Sequence, residues 1–287
     1  MNQRVTFSRE NFAVLGVGGI ELLGYQRFSS AQNRLPDHEH THCLEICLLA
    51  RGLQYFALGE TPYWMRGGQV FLTFPGETHS TGDQPMERGE LFWLLVDLRP
   101  RRNFLGLGPV VGEEFRRNLS GSRSRLFSVP KETFTAMRQL KRELGKPDVR
   151  ASRLVEALCC VMNRIIAASC DSATVRNDRF QTVFGFIEQN LHNPLSVGSL
   201  ARRSGLSESQ FKASFKEAVG VPPGEFVNRR RVERARALLR ETDRSVTEIA
   251  LDLGFSTPQY FASVFRRITG ITPGQCRRGE QPPVAIP

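Results

Sequence analysis

The 287-residue sequence has no run approaching 18 apolar residues, so no membrane-spanning helix is expected. Its start, Met1-Asn2-Gln3-Arg4, lacks the apolar core of a secretory signal, and a cytoplasmic location is the expectation. No Cys-x-x-Cys pair occurs. The six cysteines (Cys43, Cys47, Cys159, Cys160, Cys170 and Cys276) are scattered, which reads as buried small hydrophobes rather than a redox switch. Residues 1–98 also lack positive excess, with 7 Lys/Arg against 11 Asp/Glu, so this third is not a nucleic-acid surface. The charge lies further on: 17 against 8 in residues 99–179 and 15 against 10 in residues 180–287, for +10 overall. A single basic DNA-binding domain does not explain why the middle excess is the larger. Hydrophobic residues at 40% and charged residues at 24% describe an ordinary globular chain, long enough for two cores.

What the sequence does hold is a repeat. Leu200-Ala201-Arg202-Arg203-Ser204-Gly205-Leu206-Ser207 is followed by Phe211, Phe215, Lys216, Gly220 and Pro223. Ile249-Ala250-Leu251-Asp252-Leu253-Gly254-Phe255-Ser256 is followed by Phe261, Phe265, Arg266, Gly270 and Pro273. The offset is 49 up to the serines and 50 from the phenylalanines onward. The second copy therefore has one extra residue, in its second helix or at that helix's start. In each copy an apolar-Ala pair closes a short amphipathic helix, and a glycine permits a sharp turn. A serine two residues later (Ser207, Ser256) is placed to cap a second helix. Phenylalanines at i, i+4 turn one face of that helix inward. This is the pattern of a helix-turn-helix, whose second helix can enter a DNA major groove. The alternative is a helical hairpin used only for packing, and its recurrence with the same Gly-x-x-Pro exit argues against it.

Residues 180 to 278 resemble the DNA-binding domain of the AraC/XylS family of bacterial transcription regulators. The resemblance is carried by Ile249-Ala250, Gly254-Phe255, Tyr260-Phe261, Phe265-Arg266 and Gly270-Ile271-Thr272-Pro273. The linker Arg231-Val232-Glu233-Arg234-Ala235 with Leu238-Leu239 also fits. It implies that one chain presents two reading helices to adjacent groove segments. Gly224 to Glu241 reads as the long helix between them. Its ~18 residues span about 27 Å, against about 34 Å between successive major grooves on one DNA face.

The side chains left to face the groove are Ser209, Gln210, Lys212 and Ala213 in the first reading helix, and Thr257, Gln259, Ala262 and Ser263 in the second. Glutamine suits adenine, while lysine suits guanine or phosphate. Positions 213 and 263 often hold arginine in the family and here hold Ala and Ser, so readout leans on Gln210, Gln259, Lys212 and DNA shape. Lys216, Arg266 and Arg267, with Arg202, Arg203, Arg229 and Arg230, are expected as phosphate contacts or solvated surface.

From Gly16 to Val96 short apolar stretches alternate with Gly and Pro, as in Glu45–Ala50, Gln54–Leu58, Val70–Phe74 and Leu91–Val96. Such spacing predicts an all-β barrel or sandwich. Within it lie His38-Glu39-His40-Thr41-His42-Cys43-Leu44-Glu45 and Gly52, then Gly68, Pro75-Gly76 and His79. These resemble the two motifs of the cupin fold, with one residue more than usual between Gly68 and Pro75. Cupin-like sensor domains are common in the AraC family, and metal cupins hold a divalent ion at the positions matching His38, His40, Glu45 and His79. Regulators of that family usually keep the barrel without the metal, so the same groups read first as polar contacts to an organic effector and second as metal ligands. In extended backbone His38, His40 and His42 would share a side. Among Tyr55, Phe56, Tyr63, Trp64, Phe92 and Trp93 most are expected to fill the core. The effector contacts expected are His38, His40, Glu45, Arg51, His79 and Trp93.

Leu98 to Gly121 reads as a connector. Phe134, Met137, Leu140 and Leu144 mark a helix from Lys131 that stops before Pro147. Leu154 through Ile166 mark a second with a wide apolar stripe. These helices are expected to form the dimer contact, by resemblance, or only to cover the barrel. Asp171 to Asp178 suits an interdomain linker.

The expected fold is therefore α+β in two domains: an N-terminal β-barrel of cupin-like jelly-roll type with a helical linker, then an all-α domain with two helix-turn-helix units. The expected boundaries are 1–115, 116–178 and 179–287. The implied function is transcription regulation, with double-stranded promoter DNA, a small-molecule effector (a sugar or related metabolite), RNA polymerase and a second copy of the chain as partners. No catalytic residue and no cofactor are expected; a divalent metal at His38, His40, Glu45 and His79 is the alternative if the cupin-like site is metallated. The rival reading is a metal-dependent cupin enzyme with an accessory helical domain. A sequence-independent DNA binder is a third, encouraged only by the charge of the middle segment.

Overall fold

A computed structural model of the chain describes residues 3–29, 34–82, 84–99, 102–122, 124–170 and 179–280. The linker expected at Asp171 to Asp178 lies outside the described residues, as do Pro100 and Arg101 of the expected connector. The chain forms two units, Met1–Asp178 and Arg179–Pro287. No helix among the described residues is long and apolar enough to cross a membrane.

In the first unit the strands are β1 (Gln3–Ser8), β2 (Ile20–Phe28), β3 (Cys43–Leu58), β4 (Thr61–Arg66), β5 (Gln69–Thr73), β6 (His79–Ser80), β7 (Gly89–Asp97) and β8 (Leu126–Ser128). The main sheet is antiparallel in the order β1-β2-β7-β3-β5-β8, and its path does not close on itself. The stretches Glu45–Ala50 and Gln54–Leu58 are one strand. Its first half pairs with β5 and β7, and its second half pairs with β4 and β6.

The alternation along β3 sorts its side chains. Leu44, Ile46 and Leu48 face a core shared with Leu23 and Tyr25 of β2 and Phe92 and Leu94 of β7. Two helices, α3 (Lys131–Leu144) and α4 (Ala151–Cys170), close that core with Phe134, Met137, Leu140, Leu154, Leu158, Val161 and Ile165. Their apolar stripes thus lie on the sheet. Two shorter helices, α1 (Arg9–Ala13) and α2 (Pro109–Ser120), add Phe12, Phe115 and Leu119. On the opposite face of β3, Cys47 and Leu49 join Phe28, Phe56, Met65, Phe71 and Leu91 in a second cluster. Because both faces of the sheet are covered, its central strands read as near-continuous apolar runs.

This arrangement explains the uneven charge. Arg138 from α3 forms an ion pair with Glu90 at 2.8 Å, and Arg125 forms one with Glu77. Part of the middle cationic excess faces carboxylates of the acidic first third, within one folded unit.

The second unit is helical: α5 (Arg179–Gln189), α6 (Val197–Ser204), α7 (Glu208–Val219), α8 (Pro223–Glu241), α9 (Val246–Asp252), α10 (Pro258–Thr269) and α11 (Pro273–Arg277). Phe180 and Phe184 of α5, Phe211 and Phe215 of α7 and Phe226 of α8 form one aromatic cluster, with ring centroids 5.3–6.1 Å apart. Val232, Ala235 and Leu239 of α8 pack with Ile249, Ala250, Phe255, Phe261 and Phe265 in the other. The i, i+4 phenylalanine pairs are fully buried, each worth about 2 kcal/mol relative to an exposed ring. The rod α8 has 19 residues, so it is about 28 Å long.

Candidate nucleic-acid interface and effector site

Both repeats fold as helix, turn, helix: α6 to α7 and α9 to α10. The turn glycines take left-handed backbone, Gly205 at φ 68° and Gly254 at φ 69°, a region that costs other residues about 1–2 kcal/mol. Ser207 caps α7, accepting from Gln210 N, as expected. The second copy differs. Thr257, not Ser256, caps α10 and accepts from Tyr260 N at 3.1 Å. Caps and phenylalanines then share one offset of 50, and the extra residue sits between the turn glycine and the cap. Ser256 was expected as the cap because it aligns with Ser207 when counted from the glycine.

The outward faces carry the expected readers. Ser209, Gln210, Lys212, Ala213 and Lys216 on α7 are exposed, as are Thr257, Gln259, Ser263, Arg266 and Arg267 at α10, while Ala262 is half-buried. Two of these side chains are already engaged. The Gln210 Oε1 accepts from Ser207 N at 3.2 Å and from Ser207 Oγ at 3.0 Å. Reading adenine with two bonds needs that oxygen as acceptor, so Gln210 must leave its cap to do so. The Thr257 hydroxyl accepts a capping bond but keeps its own proton to donate. Gln259 has no such bond among the described residues.

The arginines divide sharply. Arg202, Arg203, Arg266 and Arg267 are exposed, and Arg203 lies 3.7 Å over the Phe186 ring. Arg229 is paired with Glu225 at 2.6 Å. Arg230 was expected at the surface, but it is 2% exposed and pairs with Glu188 at 2.7 Å. Its neighbour Arg231, absent from the expected contacts, reaches three backbone carbonyls. Its guanidinium donates to the carbonyls of Leu191 (2.9 Å), Asn193 (2.7 Å) and Gly254 (2.9 Å). It thereby ties the approach to the first helix-turn-helix to the turn of the second. Burial among neutral carbonyls pushes its pKa below the usual arginine value. In sequence Arg230 and Arg231 sit inside a run of three arginines, which reads as solvated charge. Only the helical phase of α8 separates the exposed from the buried.

In the first unit a polar cluster gathers at one end of the second face of β3. One donor atom each from His38, His40, Glu45 and His79 lies within 4.8 Å of all the others. His79 Nε2 is 2.5 Å from Glu45 Oε2, and His40 Nε2 is 3.5 Å from it. Backbone brings these together: His38 and His79 form an antiparallel bridge with N–O distances of 3.1 and 2.9 Å. The His40 carbonyl accepts from Gly76 N at 3.0 Å. Glu77 holds the loop before His79, its carboxylate accepting from Phe74 N at 2.8 Å and from Arg125 Nη1 at 2.6 Å.

Burial alone would raise the Glu45 carboxyl, but hydrogen bonds from His40 and His79 outweigh it and hold it at about 2. Burial would lower His79, and its bond with Glu45 instead raises it. Glu45 and His79 are buried, while His38 and His40 are partly exposed.

Two expected effector contacts, Arg51 and Trp93, lie elsewhere, and so does His42, which extended backbone would have aligned with His38 and His40. His42 is exposed, because the strand begins only at Cys43, after a bend at Thr41 and His42. Arg51 is exposed six residues along β3 from Glu45, about 20 Å at strand rise, and joins no such cluster. Trp93 is half-buried opposite Cys47, on the Glu45 face but two residues over, with the Arg4 guanidinium 5.6 Å from its ring. Cys47, which the sequence did not single out, lies with its Sγ 3.6 Å from Glu45 Oε1. Its period-two spacing from Glu45 is the signal that could have found it.

A β unit with a buried polar cluster, followed by two helix-turn-helices on one rod, defines a two-domain helix-turn-helix protein. An AraC-like ligand binding domain model matches residues 24–158, and a helix-turn-helix domain model matches residues 200–279. The chain belongs to the AraC family. It is 38% identical over 114 residues to an HTH-type transcriptional regulator of Staphylococcus aureus, covering 40% of this chain and 15% of that protein. It is 34% identical over 107 residues to the HTH-type transcriptional regulator YkgA of Escherichia coli (strain K12), covering 37% of this chain and 45% of that protein. The chain thus spans less than half the length of either relative. Among solved structures it is similar to an AraC-type DNA-binding domain-containing regulator from Chromobacterium violaceum. That likeness has 32% identity and a TM-score of 0.34, and covers 37% of this chain and 95% of that one.

Proposed function

We propose that the protein is a DNA-binding transcription regulator whose N-terminal unit senses a small-molecule effector. The observation that carries this reading is the pair of exposed, capped reading helices, α7 and α10, packed against a common rod. Each presents short polar side chains outward and buries its phenylalanines. Gln259, Lys212 and Ser209 meet base edges, while Lys216, Arg266 and Arg267 meet phosphates. Two helices on one chain bind adjacent major-groove segments of double-stranded promoter DNA. The effector is a sugar or related polar metabolite, held at the face of β3 that carries Glu45, His79 and Trp93. A second copy of the chain and RNA polymerase are the further partners, and the protein works in the cytoplasm.

A second reading is favoured by one observation, the four-residue His/Glu cluster: a metal-dependent enzyme with an accessory helical unit. Selection of bound fragments from genomic DNA by the purified full chain, followed by footprinting with and without a panel of sugars, separates the two. A regulator enriches a discrete set of sites and changes its footprint with one effector. Enrichment of no sequence under any condition sinks the regulator reading.

A further inference from the structure

We propose that Arg231 is a positioning residue that fixes the spacing of the two reading helices, so that the protein selects DNA by the distance between half-sites as well as by their bases. The proposal rests on the regulator reading above and deepens it.

Each motif has its own core on the rod. The phenylalanine cluster holds the first motif to α8, and the cluster around Val232 and Leu239 holds the second. Polar ties cross from one motif to the other. Arg231, buried midway along α8, sends three guanidinium nitrogens to both. Its Nε and Nη2 donate to the carbonyls of Leu191 and Asn193, in the segment leading into α6. Its Nη1 donates to the carbonyl of Gly254, in the turn between α9 and α10. A guanidinium is planar and holds its donors in a fixed fork. The carbonyls of the two motifs are therefore held in fixed directions from one another, which a flexible ammonium would not impose.

The two motifs also touch. A Cβ on Gly254 would lie 3.0 Å from the His192 carbonyl, so the second turn sits directly against the lead-in to the first motif. Neighbours on the rod reinforce the arrangement. Arg230 pairs with Glu188 of α5 at 2.7 Å, and Asn228 Nδ2 donates to the Tyr260 hydroxyl of α10 at 3.3 Å.

The consequence lies in the DNA. One base pair added between half-sites moves the far groove by about 3.4 Å and turns it by about 35°. A clamped pair of reading helices cannot follow that change, whereas a loosened pair can. Rigid linkage concentrates the second encounter at one spacing and depletes it at others.

The test compares the full-length parent with Arg231→Met and Arg231→Lys. Affinity is measured on the duplex that the parent selects and on duplexes with one base pair added or removed between its two protected halves. In the parent either change should weaken binding at least ~10-fold. In Arg231→Met the selected duplex should bind more weakly, and the penalty for altered spacing should fall to ~3-fold or less. Arg231→Lys should lie between. Leu239→Ala destabilises the same helix away from the fork, so it should lower binding at every spacing alike and keep the parent's ratio. Circular dichroism verifies that each variant is folded, and if Arg231→Met is not, the ratio in Arg231→Lys decides. An equal spacing penalty in the parent and the folded Arg231 variants overturns the proposal and leaves the regulator reading standing. A parent that selects no duplex removes the regulator reading, and the proposal with it.

Discussion

The two helix-turn-helix units share a pattern but not a mounting. Around Gly205 in the first there is open space, while a Cβ on Gly254 in the second would lie 2.7 Å from Arg231 Nη2 and 3.0 Å from the His192 carbonyl. The first unit caps its reading helix with Ser207 and draws Gln210 into that cap. The second caps with Thr257 and leaves Gln259 facing outward. The difference teaches that a duplicated motif need not be duplicated in function. The second copy is wedged against the rod through Arg231, and the first is held mainly by aromatic packing.

The largest effect should come from Gly254→Val, which combines positive-φ strain with the Arg231 collision. Promoter affinity should fall at least ~100-fold, equivalent to about 3 kcal/mol, while the N-terminal unit stays folded. Gly205→Val carries the backbone strain alone, about 1–2 kcal/mol, and should lose less. Mobility shifts on both variants check this, and equal losses would erase the asymmetry.

Next in size is Arg231→Met. It leaves three carbonyls without their donor, the buried one of Leu191 among them, and a destabilisation of about 2 kcal/mol is expected, since an unmet buried group costs about 1–3 kcal/mol. Denaturant unfolding monitored by helical circular dichroism reads it directly. A change below the cost of a surface substitution would mean that Arg231 does not anchor the turn.

How much was legible beforehand differs along the chain. The repeat, its glycines and its phenylalanines were readable because turn geometry and helix period leave marks at fixed spacing. The four cluster residues were readable too, although the strand alternation that seemed to add His42 fails where the chain bends. Arg230 and Arg231 were not, because a charged run carries no sign of which member the helix turns inward. The Thr257 cap was hidden by alignment from the wrong landmark. Helices α3 and α4 showed their apolar stripes plainly, but a stripe does not name what covers it, and here it is the sheet.

The glutamines offer a finer comparison. Gln259→Ala should weaken binding and relax specificity by about 2 kcal/mol, in line with losing a bidentate base contact. Gln210→Ala should cost less in binding, because that side chain is spent on its cap. Competition binding against mutated sites measures both, and a larger effect at Gln210 would reverse the assignment. The smallest effects belong to the caps themselves: Ser207→Ala and Thr257→Ala should each cost about 1 kcal/mol of stability, and Ser256→Ala close to none. Thermal unfolding of the three variants decides whether Thr257 or Ser256 begins α10.

Hydroxyl-radical footprinting of the full chain on its selected DNA tests the central claim most directly. Two protected patches on one face of the duplex, about one helical turn apart, are predicted, with Lys212→Ala weakening one patch and Gln259→Ala the other. A single patch, or two patches that respond alike to both substitutions, would contradict it.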